Sequence, residues 1–114
     1  MINKEKLIKI LESQKITYKL YSHPAVYSVN ESKQLRGSIE GAHTKNLFLK
    51  NKKNYFFLFS CLESSNINLK ILNKKLALGG ISFAKEEYLN KMLNVKPGAV
   101  TPFGLLNDIN KEVK

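Results

Sequence analysis

The run Tyr55-Phe56-Phe57-Leu58-Phe59-Ser60-Cys61-Leu62 constrains this chain more than any other stretch, because it is apolar at every position except Ser60. It is far shorter than the ~20 residues a membrane helix needs. A short, aromatic-rich run with apolar residues on both faces reads instead as a strand in the middle of a sheet. Such a strand needs neighbours. One lies just upstream, where Leu47–Lys50 is separated from it by the polar turn Asn51-Lys52-Lys53-Asn54. Two apolar runs joined by four turn residues predict a β-hairpin.

The rest of the chain supplies elements to pack on that hairpin. Asn3 can cap a helix reaching about Gln14, with Leu7, Ile8 and Leu11 on one face and Lys4, Lys6, Lys9 and Glu12 outside. Ile16–Tyr21 is rich in β-formers and reads as a strand, broken by His23-Pro24. Ser28 and Glu31 form a capping box for a short helix through Leu35. Leu69, Leu72 and Leu76 recur at helical spacing, and Gly79-Gly80 ends that helix. Ile81–Phe83 is a short strand, Leu89, Met92 and Leu93 mark another helix, and Pro97-Gly98 turns into a last strand at Ala99–Pro102. The order α-β-α-β-β-α-β-α-β predicts an α+β fold on a mixed, partly antiparallel sheet with surrounding helices.

A chain of 114 residues has room for one core, so a single domain over residues 1–114 is expected. The formal charge of +10 invites an anionic partner, yet it is built from 18 Lys and 1 Arg. Lys, Asn and Ile make up 39 of the 114 residues, as codon bias alone can produce. Surfaces tuned for base or phosphate recognition favour the planar fork of Arg. Charge therefore permits an RNA partner without proving one. With Cys61 as the lone cysteine there is no internal disulfide and no cysteine metal cage. The N-terminus shows no apolar signal region, so a cytoplasmic protein without a membrane partner is expected.

Familiar catalytic signatures are missing. There is no Gly-rich phosphate loop, and His23 and His43 lack the spacing of a zinc pair, so no metal and no cofactor is expected. Two stretches carry more. Gly41-Ala42-His43-Thr44-Lys45-Asn46 delivers a lysine to the mouth of a strand, and Gly98-Ala99-Val100-Thr101-Pro102 combines a flexible backbone with a fixed end. Taken singly, each is an ordinary strand entry or turn.

Together, His43-Thr44-Lys45-Asn46-Leu47-Phe48-Leu49 and Pro97-Gly98-Ala99-Val100-Thr101-Pro102-Phe103-Gly104-Leu105 resemble the YbaK/prolyl-tRNA-synthetase-associated editing family. They look most like its PrdX (ProXp-ala) branch, free-standing enzymes that deacylate alanine mischarged on proline tRNA. The likeness also takes in Ser22-His23-Pro24-Ala25-Val26-Tyr27, Asn68-Leu69-Lys70 and Ile81-Ser82-Phe83-Ala84. It implies the family's curled sheet and an aminoacyl-tRNA deacylase acting on Ala-tRNA(Pro). The partners it implies are tRNA and, secondarily, prolyl-tRNA synthetase. Lys45 is then the critical catalytic side chain. Gly98, Ala99, Val100, Thr101 and Pro102 line the aminoacyl pocket, and His43 and Asn46 flank Lys45 at the substrate.

Chemistry agrees with these implied roles. The substrate ester is already activated, so hydrolysis needs a positioned water and stabilisation of an oxyanion more than a covalent nucleophile. Lys45 can hold the terminal phosphate or offset developing charge, amides around Gly98 and Ala99 can face the carbonyl oxygen, and a tRNA ribose hydroxyl can assist the water. Val26, Phe48 and Val100 are candidates for a pocket that admits alanine and excludes proline, a second sieve needed because lost apolar contact discriminates by only ~1–3 kcal/mol. The neighbouring branch that clears Cys-tRNA(Pro) is one alternative; a non-catalytic tRNA-binding module is another. Members of the branch continue past the position matching Lys114, which implies a domain incomplete at its C-terminus with an exposed sheet edge.

Overall fold

The computed structural model describes residues 2–22, 37 and 39–114. The expected helix over Ser28–Leu35 lies outside these residues. By internal contacts the chain divides into two units, one of residues 4–43 and one of residues 1–3 with 44–114. Among the described residues no helix is long and apolar enough to cross a membrane.

In the smaller unit, helix α1 spans Lys4–Ser13. Leu7, Ile8, Ile10 and Leu11 are half-buried along one side, while the lysines are exposed. The helix ends in a Schellman arrangement: Ile16 N–H donates to the Leu11 carbonyl (2.9 Å) and Lys15 N–H to that of Glu12 (3.0 Å). Lys15 takes the left-handed conformation there, with φ of 56°. The strand expected at Ile16–Tyr21 is not formed. All six residues are exposed without regular structure. β-propensity expresses packing against neighbouring strands, and here both alternating sets of side chains face solvent. The Tyr18 hydroxyl instead donates to Glu12 Oε1 (2.9 Å), which raises the Tyr18 pKa above its ordinary value.

The larger unit is built on three antiparallel strands, β1 (Thr44–Lys50), β2 (Phe56–Leu62) and β3 (Ser82–Phe83), in the order β2-β1-β3. The predicted hairpin is present, with Phe48 opposite Leu58 and Lys50 opposite Phe56. Its central strand is β1, however, not β2. The outer side of β2 is met by the C-terminal residues: Val113 forms an isolated parallel bridge to Phe56. Leu58 N–H donates to the Lys114 carbonyl (2.8 Å), and Lys114 N–H to that of Phe56 (2.9 Å). The Asp108 carboxylate seats this tail by accepting from Glu112 N–H (3.1 Å) and Val113 N–H (2.9 Å). The double-faced apolarity of β2 thus reflects cover over its faces and a tail at its edge, which the sequence does not distinguish from a strand on each side. The architecture is α+β, with one parallel bridge beside antiparallel ladders.

Phe48, Phe56, Leu89 and Leu93 form the core of this unit, with Leu58, Tyr88, Met92 and Val100 among the residues packed around it. The Phe48 and Phe56 rings stack with centroids 5.7 Å apart, and Tyr88 tilts onto Phe56 at 4.9 Å. Helix α2 (Leu69–Leu76) begins at Asn68, whose side chain accepts from Lys70 and Ile71 N–H. It ends at Ala77 in the left-handed conformation, so Gly79 and Gly80 shape the turn that follows instead of ending the helix. Helix α3 (Glu86–Tyr88) runs on into a π-helical turn, Leu89–Leu93, which buries Leu89 and Leu93. The strand expected at Ala99–Pro102 is absent. Thr101 instead caps a 3-10 helix, Pro102–Asn107, with Pro102 in its first turn, where a missing N–H costs nothing. Asn107 anchors that helix, donating to the Leu93 carbonyl (2.9 Å) and accepting from Ile2 N–H (2.8 Å).

Candidate functional site

Lys45 and Asn46 are the second and third residues of β1, inside the strand and not in the loop before it. Consecutive strand residues project to opposite faces, and the two side chains bind different loops. Asn46 shares a face with Phe48. Its Nδ2 donates to the Val100 carbonyl at 3.1 Å, and its Oδ1 accepts from Ser60 Oγ at 2.6 Å. Ser60 is the direct cross-strand partner of Asn46. Val100 also packs on the core that contains Phe48. The two stretches singled out in the sequence are therefore joined, through Asn46.

On the other face, Lys45 Nζ donates to the Ser65 carbonyl at 2.6 Å, in the connection between β2 and α2. This neutral acceptor occupies one of the three ammonium donors. Cys61 is the cross-strand partner of Lys45 and is a half-buried free thiol. It therefore sits beside the expected catalytic lysine and not in a dry core.

The second stretch is a tight turn. Ala99 N–H donates to the Lys96 carbonyl at 3.0 Å, with Pro97 and Gly98 at the corners. Gly98 has φ of +83° and open space where a side chain would begin, so conformation and not crowding calls for glycine. Two expected roles change in detail. The Ala99 amide closes the turn and is not free to face a carbonyl oxygen, leaving the Gly98 and Val100 amides, which have no partner among the described residues. Thr101 Oγ1 accepts from Phe103 N–H (3.3 Å), so Thr101 and Pro102 begin the 3-10 helix.

His43 is half-buried and precedes β1 as the last residue of the smaller unit. Of the three residues expected to line a pocket, Val26 lies outside the described residues, Phe48 is a core residue at 4% exposure, and Val100 is partly buried. Ser60 was not singled out in the sequence. Its only mark there is that it is the one polar residue in Tyr55–Leu62, which becomes informative once the register places it opposite Asn46.

Residues 23–114 match the family model of the aminoacyl-tRNA editing domain. The chain belongs to that family. It is 37% identical over 112 residues to the prolyl-tRNA editing protein ProX of Acetoanaerobium sticklandii, covering 97% of this chain and 68% of that protein. It is 37% identical over 108 residues to prolyl-tRNA synthetase associated domain-containing protein 1 of Xenopus laevis, covering 92% and 64%. The human protein so described, marked putative, is 39% identical over 89 residues, covering 75% and 53%. This chain therefore spans between about half and two thirds of these curated relatives. The crystal structure of hypothetical protein APE2540 superposes with a TM-score of 0.71 at 16% identity, over 94% of this chain and 69% of that one. That likeness shows a shared fold.

Proposed function

We propose that this editing-family chain is a trans-acting deacylase that hydrolyses the ester of Ala-tRNA(Pro), in the manner of the PrdX branch. In this reading residues 1–114 act as one editing domain in the cytoplasm, with tRNA as substrate and prolyl-tRNA synthetase as the neighbouring enzyme. The observation that carries it is the Asn46–Val100 hydrogen bond, which holds the Gly98–Pro102 turn against the strand bearing Lys45. In the reaction, a water oxygen bonds to the ester carbonyl carbon, the bond to the ribose oxygen breaks, and that oxygen takes a proton. A vicinal ribose hydroxyl orients the water, since neither motif offers an acid–base pair. The Gly98 and Val100 amides are the donors left to meet the developing oxyanion. The Lys45 ammonium, directed to the other face of β1, holds a phosphate of the terminal nucleotide.

The test is hydrolysis of Ala-tRNA(Pro) beside Pro-, Cys- and Ser-charged tRNA, with Lys45→Ala as control. Alanine-selective release that falls at least ~100-fold in the variant supports the proposal. Cysteine-selective release would assign the chain to the Cys-tRNA(Pro) branch. Binding of tRNA with no release from any ester would make it a tRNA-binding module.

A further inference from the structure

We infer that the β1–β2 turn and the C-terminal end of α2 form a second tRNA contact, a lysine platform that takes the phosphate backbone away from the ester. This rests on the reading that the substrate is a tRNA. Residues 41–62 and 64–84, with Glu63 between them, hold seven of the 18 lysines and none of the nine acidic residues. Elsewhere the same lysine-rich composition is interleaved with acids: Glu5 and Glu12 among Lys4–Lys15, Glu86 and Glu87 beside Lys85, and Glu112 between Lys111 and Lys114. Codon bias explains many lysines but not their segregation from carboxylates.

The fold brings the two acid-free segments together. Asn51, only 7% exposed, accepts from Lys53 N–H (3.0 Å) and Tyr55 N–H (2.9 Å), and its Nδ2 donates to the Leu78 carbonyl (2.8 Å). Lys52 N–H donates to the Gly79 carbonyl (3.4 Å), and Gly80 N–H to Asn73 Oδ1 (2.8 Å). The stem of Lys52 lies over Gly80, where a Cβ would come within 3.0 Å of Lys52 Cε. Lys52, Lys53, Lys70, Lys74 and Lys75 are exposed, and none is in an ion pair with a described residue. Lysines in the last turn of a helix also offset its dipole. That accounts for Lys74 and Lys75 but not for Lys52 and Lys53, which lie on a hairpin turn.

Lysines without arginine are point charges suited to phosphate and not to base edges, so the partner is RNA backbone held without regard to sequence. Lys45 stands near one end of β1 and the turn follows the other. At ~3.3 Å per residue this separates Lys45 from the platform by about 17 Å, so the backbone it meets lies several nucleotides from the ester.

The experiment is fluorescence anisotropy of a deacylated acceptor-stem hairpin RNA across a potassium chloride series. The wild type is compared with Lys52→Ala/Lys74→Ala and with a control pair elsewhere, the exposed Lys4→Ala/Lys9→Ala of α1. Hydrolysis of an aminoacylated CCA trinucleotide, too short to reach the platform, is measured alongside. The platform pair is expected to flatten the log–log salt slope by about two, roughly one per lysine, with the control slope and trinucleotide hydrolysis unchanged. Equal flattening by both pairs would mean diffuse charge and overturn the proposal. So would an unchanged slope, or a loss of binding to phosphatidylserine vesicles but not to RNA. Absence of ester hydrolysis with the expected slope change would sink the deacylase reading and leave the platform standing.

Discussion

Removing the Asn46 side chain tests whether the tie between β1 and the Gly98–Pro102 turn has a functional role. Asn46→Ala deletes the bond to the Val100 carbonyl at 3.1 Å and the bond from Ser60 Oγ at 2.6 Å. Hydrogen bonds contribute about 0.5–1.5 kcal/mol each. Because Ser60 is exposed and its hydroxyl can turn to water, the sum belongs in the lower half, about 1–2 kcal/mol. If the whole of it goes into holding the turn for catalysis, kcat/KM for Ala-tRNA(Pro) falls about five- to thirtyfold. Asn46→Asp separates the two bonds. A carboxylate still accepts from Ser60 but cannot donate to Val100 and sets negative charge against its carbonyl, so it should be at least as damaging despite its equal size. Ser60→Ala keeps the donor and should cost only a few-fold, near the value of one weak bond. The assay is steady-state deacylation, with thermal unfolding of each variant in parallel. Full kcat/KM in a normally folded Asn46→Ala would refute the reasoning. An Asn46→Asp milder than Asn46→Ala would show that the Val100 bond is not the one that matters.

Three further substitutions probe the scaffold. Gly104 is buried, and a Cβ there would sit 3.1 Å from Leu93 Cβ and 3.3 Å from the Leu93 carbonyl, where Leu93 is fully buried; Gly104→Ala should cost about 1–3 kcal/mol in urea unfolding. Asn51→Ala removes two acceptor bonds within the hairpin turn and the one donor bond that joins the turn to the loop after α2. A loss of about 2–3 kcal/mol is expected, and faster amide exchange at Lys53 and Tyr55 would locate it. Gly98→Ala places a side chain in open space at φ of +83°, so roughly 1 kcal/mol of backbone strain should appear. Deacylation would fall more than global stability, because the strain sits in the turn.

The hairpin was legible because its signals are local, two apolar runs joined by a polar turn; the register was not, since the connection runs through Tyr55 and sets Lys50 opposite Phe56. The existence of α2 and the turn at Pro97-Gly98 were legible for the same reason, whereas the end of α2 falls at Ala77 and not at the expected Gly79-Gly80. Ile16–Tyr21 was misread because β-propensity describes a residue that has a sheet to join, and among the described residues that segment has none. The rank of β2 was misread because an edge strand flanked by a returning tail is as apolar as a central one. Val113 and Lys114 are separated from Phe56 by most of the larger unit, and no local pattern announces that pairing.

Of the candidate site, the residue types were readable and their distribution over two faces was not. Lys45 and Asn46 look like one motif in the sequence, but adjacent strand positions face opposite ways, and β1 sends one to the Ser65 loop and the other to the Val100 turn. One strand thus sets the placement of both loops at once. A one-residue slip of β1 against β2 would exchange the faces of Lys45 and Asn46 and also expel Phe48 from the core. The burial of Phe48, stacked on Phe56, opposes that slip. The core therefore fixes the chemistry of the site through register: whatever holds Phe48 inward also holds the Asn46 amide toward Val100 and the Lys45 charge toward Ser65.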